Sequence, residues 1–344
     1  MLTVGVLKLD MEACLAPATQ WQGKRYNSFN RILRDIFACR VYKVSLRADF
    51  TCPNRDGSVA LGGCIYCNNA GHTPLSYDSS MSIRAQTELG IEAVRRRHKA
   101  DKFIAYFQSY TNTYGSVGKL ERLYRQALDV PDVVGLSIGT RPDCVPDDVL
   151  DLIADIARDT YVWLELGLES MRERTLRWAN RGHGLREFLD AVERSKIRGL
   201  RLCVHLILGF PGETRAEILE TPELLNVLEI DGVKLHNLHV IKNTVLEHIY
   251  RRGEMTLQSR DEYAALVVDF LELLRPQTVI HRLTGETYRW LTVAPAWSVN
   301  KIEVMNTIQN QLERRDTWQG KLYPGRQRKN LSSADFGCLE AKAF

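Results

Sequence analysis

From residue 41 onward the chain alternates between two hydrophobic rhythms. Short apolar or alternating runs fall at residues 41–46, 103–107, 133–138, 161–166, 202–208, 233–240 and 279–283. Between them, residues 82–97, 117–128, 147–156, 185–197, 216–227 and 262–274 carry apolar positions at helical spacing. The first pattern predicts strands buried against a layer of helices, and the second predicts the helices themselves. Repeated strand–helix units predict a parallel sheet. Six units and a seventh strand predict an α/β fold, a partial TIM-type (βα)6–7 barrel. Residues 41–286 hold the barrel in this reading. Residues 1–40 form a short N-terminal extension, and residues 287–344 a partly helical C-terminal one with a basic tail. Pro146-Asp147-Asp148 reads as a helix start, and Gly199 after Lys196 and Arg198 as a helix stop.

Composition narrows the class. The 344 residues are 44% hydrophobic and 26% charged, ordinary values for a globular protein. No apolar run approaches the roughly 20 residues that span a bilayer, and the N-terminus lacks a basic start before an apolar core. The expectation is a cytoplasmic protein without a membrane partner. Eight cysteines are too sparse for a disulfide scaffold, and three of them fall within sixteen residues. The net charge is only +4, but Lys24 to Arg47, Arg95 to Lys99 and Arg314 to Lys329 are basic segments able to meet phosphates.

The three clustered cysteines carry the chemistry. Cys52, Cys64 and Cys67 lie in TCPNRDGSVALGGCIYC, directly after the first strand. Three thiolates can hold three irons of a four-iron cubane and leave the fourth iron open, whereas structural zinc is normally closed by four protein ligands. A zinc reading needs a fourth ligand, such as His72. In a parallel barrel the active groups gather where strands end. Here Gln108 and Ser109 follow the second strand, Arg141 the third, and Gly209 to Thr214 the fifth. Glu165 sits on the fourth, and His236, Asn237 and His239 belong to the sixth. On one strand His236 and His239 are expected to face opposite sides. His205, Cys144 and Cys203 read as buried core residues, and the tryptophans mostly as packing, with Trp290 and Trp297 near a substrate entrance.

The cysteine loop, with Tyr66 just before the last cysteine, resembles that of radical S-adenosylmethionine (SAM) enzymes. YFQSYTNTYG, LSIGTRPDC, WLELGLES, VHLILGFPGET, VKLHNLHVIKNT, HRLTGE and DTWQGK resemble one subgroup, the YhcC/YtqA-type proteins. These are related to the radical SAM part of the elongator catalytic subunit. The eleven residues between the first two cysteines exceed the three of the most familiar spacing and match this subgroup. The resemblance implies that Cys52, Cys64 and Cys67 ligate a [4Fe-4S] cluster and that SAM chelates its open iron. It places Tyr66 near the adenine, and Gln108 and Ser109 at the methionine part. Arg141 and Glu165 are implied at the ribose or carboxylate, and Gly209, Gly212 and Glu213 in a glycine-rich turn by the adenine. The implied reaction is reductive cleavage of SAM to a 5′-deoxyadenosyl radical that removes a hydrogen atom from the substrate.

Too few residues follow the barrel for an elongator-type acetyltransferase domain, and no second cluster motif is apparent. The elongator kinship points to modification of a wobble-uridine side chain in tRNA. The basic segments are then expected along the RNA, with Trp318 and Tyr323 stacking on bases. An electron donor such as flavodoxin or ferredoxin is implied. The alternatives are a radical SAM enzyme acting on a small metabolite or a protein, and a non-catalytic iron–sulfur electron-transfer protein.

Overall fold

The computed structural model of the chain describes residues 21–68, 77 and 80–325. Cys14, His72, Cys338 and the basic tail from residue 326 lie outside the described residues. In chain order, α1 (Phe29–Phe37) leads into β1 (Val41–Leu46), followed by α2 (Ile83–His98), β2 (Lys102–Phe107), α3 (Val117–Leu128), β3 (Val133–Thr140) and α4 (Asp147–Asp159). Next come β4 (Tyr161–Glu169), α5 (Glu173–Trp178), α6 (Leu185–Ile197), β5 (Leu202–Leu208), α7 (Arg215–Leu219), α8 (Thr221–Val227) and β6 (Gly232–Asn237). The chain continues through β7 (Val240–Ile241), α9 (Val245–Arg251), α10 (Arg260–Leu273), β8 (Val279–Arg282), β9 (Thr292–Ala294) and α11 (Lys301–Arg314).

Seven strands form one sheet in the order β1-β2-β3-β4-β5-β6-β8, and every neighbouring pair is parallel. The sheet curls into a half-barrel, the partial TIM-type fold expected. A two-stranded ribbon, β7 with β9, stands apart from it. Alternation along the strands sends each set of side chains to its own side. Val44, Phe103, Phe107, Ile138, Leu164, Leu166, Val204 and Leu235 join the helices in one large apolar layer outside the sheet. Val41, Ile104, Trp163, Cys203 and Val279 point the other way and pack with Phe29 and Leu33 of α1. They fill the end of the barrel where strands begin.

That plug explains how the open sheet is held. β1 and β8 are its edges, and α1 packs against both. Ser28 pairs with Ile280 like an added strand residue, and Ile280 N–H donates to Asn27 O at 2.7 Å. The Phe29 ring stacks on His281 at 3.9 Å and meets Trp163 edge-on. The C-terminal segment joins the same end. Gln319 accepts from Asn27 N–H and donates to Arg275 O and Thr278 O.

Two elements depart from the sequence pattern. Residues 216–227 form two helices, because Pro222 opens α8 and has no N–H to continue α7. β6 stops at Asn237, and Leu238 N–H turns back to Leu208 O at 3.1 Å. Among the described residues no helix is long and apolar enough to cross a membrane.

Replacing Phe29 by Ala removes the ring that links α1 to β8 and opens a void beside Trp163. Chemical denaturation is expected to show a loss of about 3–5 kcal/mol. A change below about 1 kcal/mol contradicts a clasping role for α1.

Candidate active site

The loop after β1 is shaped by its own backbone and then fastened to the segment after β4. Cys52 O accepts from Arg55 N–H at 2.7 Å and Asp56 N–H at 3.1 Å, and Gly63 N–H reaches Asn54 O at 2.7 Å. Gly63 has φ +81°, and a Cβ there would lie 2.8 Å from the Arg55 side chain, so only glycine fits. Ile65 N–H donates to Ala179 O at 3.0 Å. The Asn180 amide donates to Leu61 O and Gly63 O, and the Asn54 amide returns a bond to Asn180 O. Cys67 N–H closes on Cys64 O at 2.9 Å.

Cys52, Cys64 and Cys67 form no disulfide among the described residues, and all three line one cavity of about 200 Å³. Among the described residues no three His, Cys, Asp or Glu side chains converge on the position of a single metal ion. Three thiol donors on one wall are the ligand chemistry that an iron–sulfur cluster takes. The Cys64 sulfur faces Arg181 Nη1 at 3.5 Å and Asn54 Nδ2 at 3.6 Å, donors suited to a thiolate. Burial pushes the Cys67 thiol up to about 11, with Cys64 adding to the shift and Arg55 opposing it. Arg181 is itself buried. It donates to Gly167 O at 2.9 Å and lies 3.4 Å from Glu169.

The cavity gathers some of the expected residues and leaves others out. Tyr66, Gln108 and Arg141 line it together with the cysteines. Arg141 has most of its guanidinium engaged: a fork to Asp143 at 2.9 and 2.7 Å, and a bond to Arg181 O at 2.7 Å. Ser109 is buried off the wall. Glu213 bonds Ser170 in an adjoining crevice behind β4 and β5, and burial raises its carboxyl. Gly209 and Gly212, at φ +96° and +80°, shape the turn into α7 without reaching the cavity. His236 and His239 both line the cavity, contrary to the opposite faces expected. β6 ends between them, so strand alternation does not carry across.

Glu165 lies beneath the cavity, and no solvent reaches it. Its Oε1 meets Lys43 Nζ at 2.5 Å and accepts from Ser137. Its Oε2 meets His205 Nε2 at 2.7 Å and accepts from Lys234. Lys234 Nζ also donates to the Tyr106 hydroxyl at 2.9 Å. Burial alone would raise Glu165, but Lys234, Lys43 and His205 hold it well below the usual carboxylate range. Burial lowers Lys234 to about 7 against the pull of Glu165. Burial and then Lys234 lower His205 to about 4, against the Glu165 bond. Tyr106 and His205 form the floor of the cavity above this charged layer. Around the walls, Tyr66 Oη, His236 Nε2 and Asn237 Nδ2 are buried with no partner among the described residues, which suits a polar ligand.

Sequence reasoning passed over Arg181, Asn54, Lys43, Lys234 and Tyr106, and took His205 for core. Lys43 and Lys234 carried a usable signal: a lysine inside a largely apolar barrel strand needs an anion to face. Arg181 carried none, because its role depends on the segment after β4 folding back.

Residues 53–225 match the Radical SAM superfamily, and residues 230–314 match the Radical_SAM C-terminal domain. The uncharacterized protein YtqA of Bacillus subtilis (strain 168) is 40% identical over 300 residues, covering 87% of this chain and 93% of YtqA. Protein YhcC of Escherichia coli (strain K12) is 36% identical over 279 residues, covering 81% of this chain and 89% of YhcC. Among solved structures, the archaeal Methanocaldococcus infernus Elp3 with an N-terminal deletion superposes with a TM-score of 0.61 at 18% identity. That match covers 81% of this chain and 64% of the other, and it is a likeness of fold.

The lowered Lys234 has a consequence for stability. From about 7 toward the ordinary 10.5, the unfolded chain holds a proton on Lys234 that the folded chain has released. Stability therefore rises with pH across that window. Urea unfolding is expected to show the wild-type chain gaining on Lys234→Met as pH rises through it, and a constant difference contradicts the assignment.

Proposed function

The chain belongs to the radical SAM superfamily and is an enzyme that uses a [4Fe-4S] cluster and SAM, and from that premise we propose that it modifies the side chain of a wobble uridine in tRNA. In this reading Cys52, Cys64 and Cys67 hold the cluster at one end of the cavity. The observation that carries the reading is that all three open onto the same cavity, with N–H donors from Arg181 and Asn54 on the Cys64 sulfur. Bound there, cluster and SAM together supply a carbon radical able to take a hydrogen atom from a substrate.

The chain's own residues prepare the space. Gly139 and Gly167 keep the wall low where β3 and β4 end. A Cβ on Gly167 would lie 2.5 Å from Arg181 and 2.6 Å from Glu169. Tyr66 and Gln108 both line the cavity and are the best placed of the expected SAM contacts. Arg141, with Asp143 on its fork, is better placed to brace Arg181 than to clamp a carboxylate. Glu165 is assigned to the floor and not to SAM, since Lys43, Ser137, His205 and Lys234 take up both its oxygens. Gly209 to Glu213 act from behind the wall by shaping β5's exit.

The RNA-facing residues also shift. Arg95 to Lys99 end α2 just before β2 begins, and Arg315 to Lys321 lie by the start of β8. Both stretches sit at the plugged end of the barrel, away from the cavity, together with Trp318. Near the open end Lys242, Arg289 and Trp290 are among the exposed residues, with Tyr288 stacked on Trp290 at 6.1 Å. Lys242 N–H bonds Leu291 O, which keeps these residues together. Aromatic rings beside cations suit splayed bases and phosphates. The elongator likeness supports tRNA as the nucleic acid.

Two outcomes are expected. After anaerobic reconstitution, Cys52→Ala, Cys64→Ala and Cys67→Ala chains lose the iron and sulfide of the cluster, while Cys144→Ala retains them; full iron in any of the first three overturns the ligand assignment. Nucleosides from tRNA of cells with and without the gene are expected to differ at the wobble uridine, and identical profiles overturn the tRNA assignment.

A further inference from the structure

The charged layer under the cavity does more than fill space. A carboxylate without solvent has only the partners given it, and Glu165 has four. Three of them, Lys43, Lys234 and Ser137, have no other role at Glu165 than to donate. The fourth, His205, differs because its ring has two nitrogens and lines the cavity. An ionised carboxylate accepts only, so His205 Nε2 carries a hydrogen and donates it to Oε2 at 2.7 Å. A neutral imidazole has one N–H, so its Nδ1 then holds a lone pair. Among the described residues no group bonds that nitrogen.

We propose that His205, held by Glu165, is the substrate-facing proton acceptor of this enzyme. It accepts a hydrogen bond, and in the reaction a proton, from an N–H or O–H group next to the reacting carbon of the substrate. The proposal deepens the enzyme reading above by assigning the substrate's chemistry: an amine, amide or alcohol hydrogen must face β5. In the step the substrate's N–H or O–H bond breaks and a His205 Nδ1–H bond forms. The electron pair stays on the substrate heteroatom, and nothing is oxidised or reduced. The charge that appears on the imidazole is met by the Glu165 carboxylate. A heteroatom that has lost its proton weakens the neighbouring C–H bond toward loss of a hydrogen atom, so the acid–base and radical steps reinforce each other. Glu165 is a positioning residue in this scheme, since it bonds His205, Lys43, Lys234 and Ser137 and no solvent reaches it.

The surroundings keep the ring neutral until substrate arrives. Lys43 from β1, Lys234 and His236 from β6, and His281 and Arg282 from β8 crowd it with positive or potentially positive groups, against the single anion Glu165. Burial and Lys234 lower it to about 4, so the ring enters the step neutral and takes the proton only as the radical forming on the adjoining carbon makes that N–H or O–H more acidic. The neighbouring Tyr106 hydroxyl, fixed by Lys234, supplies the next polar group on the floor.

The test has one readout independent of substrate. In the reconstituted full chain with 15N-labelled histidine, His205 is assigned by its loss in His205→Asn. It is expected as the neutral Nε2–H tautomer at neutral pH, and Glu165→Gln is expected to mix the tautomers. A neutral Nδ1–H form, or an imidazolium at neutral pH, overturns the proposal. The second readout uses cells lacking the gene and carrying variants. His205→Asn and His205→Gln can still donate to Glu165 but hold no proton. With cluster content unchanged, both are expected to restore tRNA nucleosides about a hundredfold less well than wild type. Full restoration by either variant overturns the proposal. If wild type itself alters no tRNA nucleoside, the tRNA assignment fails, while the tautomer still decides the role of His205.

Discussion

One buried carboxylate organises the inside of this barrel. Glu165 sits where the strands are most enclosed, and an isolated charge there would be prohibitive. Lys43 and Lys234 reach it from β1 and β6, Ser137 from β3 and His205 from β5. Five strands of an open sheet are thereby tied through their inner face. The interior falls into three levels. An apolar plug with α1 closes the end where strands begin, the charged layer lies above it, and the cavity with its cysteines opens above that. Replacing such a cluster by apolar groups need not lower stability, so its presence is better explained by what it holds at the cavity floor.

The second constraint links two loops. The cysteine segment does not stand alone after β1, because Asn54 and Asn180 exchange bonds, Ile65 is tied to Ala179, and Arg181 faces the Cys64 sulfur. Gly182, at φ +74°, leaves no room for a side chain, since a Cβ there would lie 2.3 Å from Asn54 Oδ1. A change after β4 is therefore felt at the cysteines. The long spacing between Cys52 and Cys64 is the length of chain that makes these contacts.

Much of this was legible in the chain. The apolar runs at residues 103–107 and 202–208 lie in β2 and β5, and the three clustered cysteines all line the cavity. Period-two alternation gives the face of a strand but not the depth along the barrel. Glu165 was therefore read with the rim residues, although it lies one level below them. Gly209 to Glu213 were read as facing the cavity because they follow a strand, but the chain turns outward into α7 there. Of the basic segments expected along RNA, Arg95 to Lys99 and the described part of Arg314 to Lys329 lie at the plugged end, a placement that charge along the chain does not reveal. Lys43 and Lys234, both inside strands, were the neglected clue, since a buried lysine requires a buried anion.

The central claim is that the cavity above Glu165 binds SAM against a cluster held by Cys52, Cys64 and Cys67. Its most direct test is incubation of the anaerobically reconstituted chain with reductant and SAM. The account predicts 5′-deoxyadenosine and methionine in equal amounts from the wild-type chain and none from Cys64→Ala. An intact cluster that leaves SAM uncleaved would contradict it.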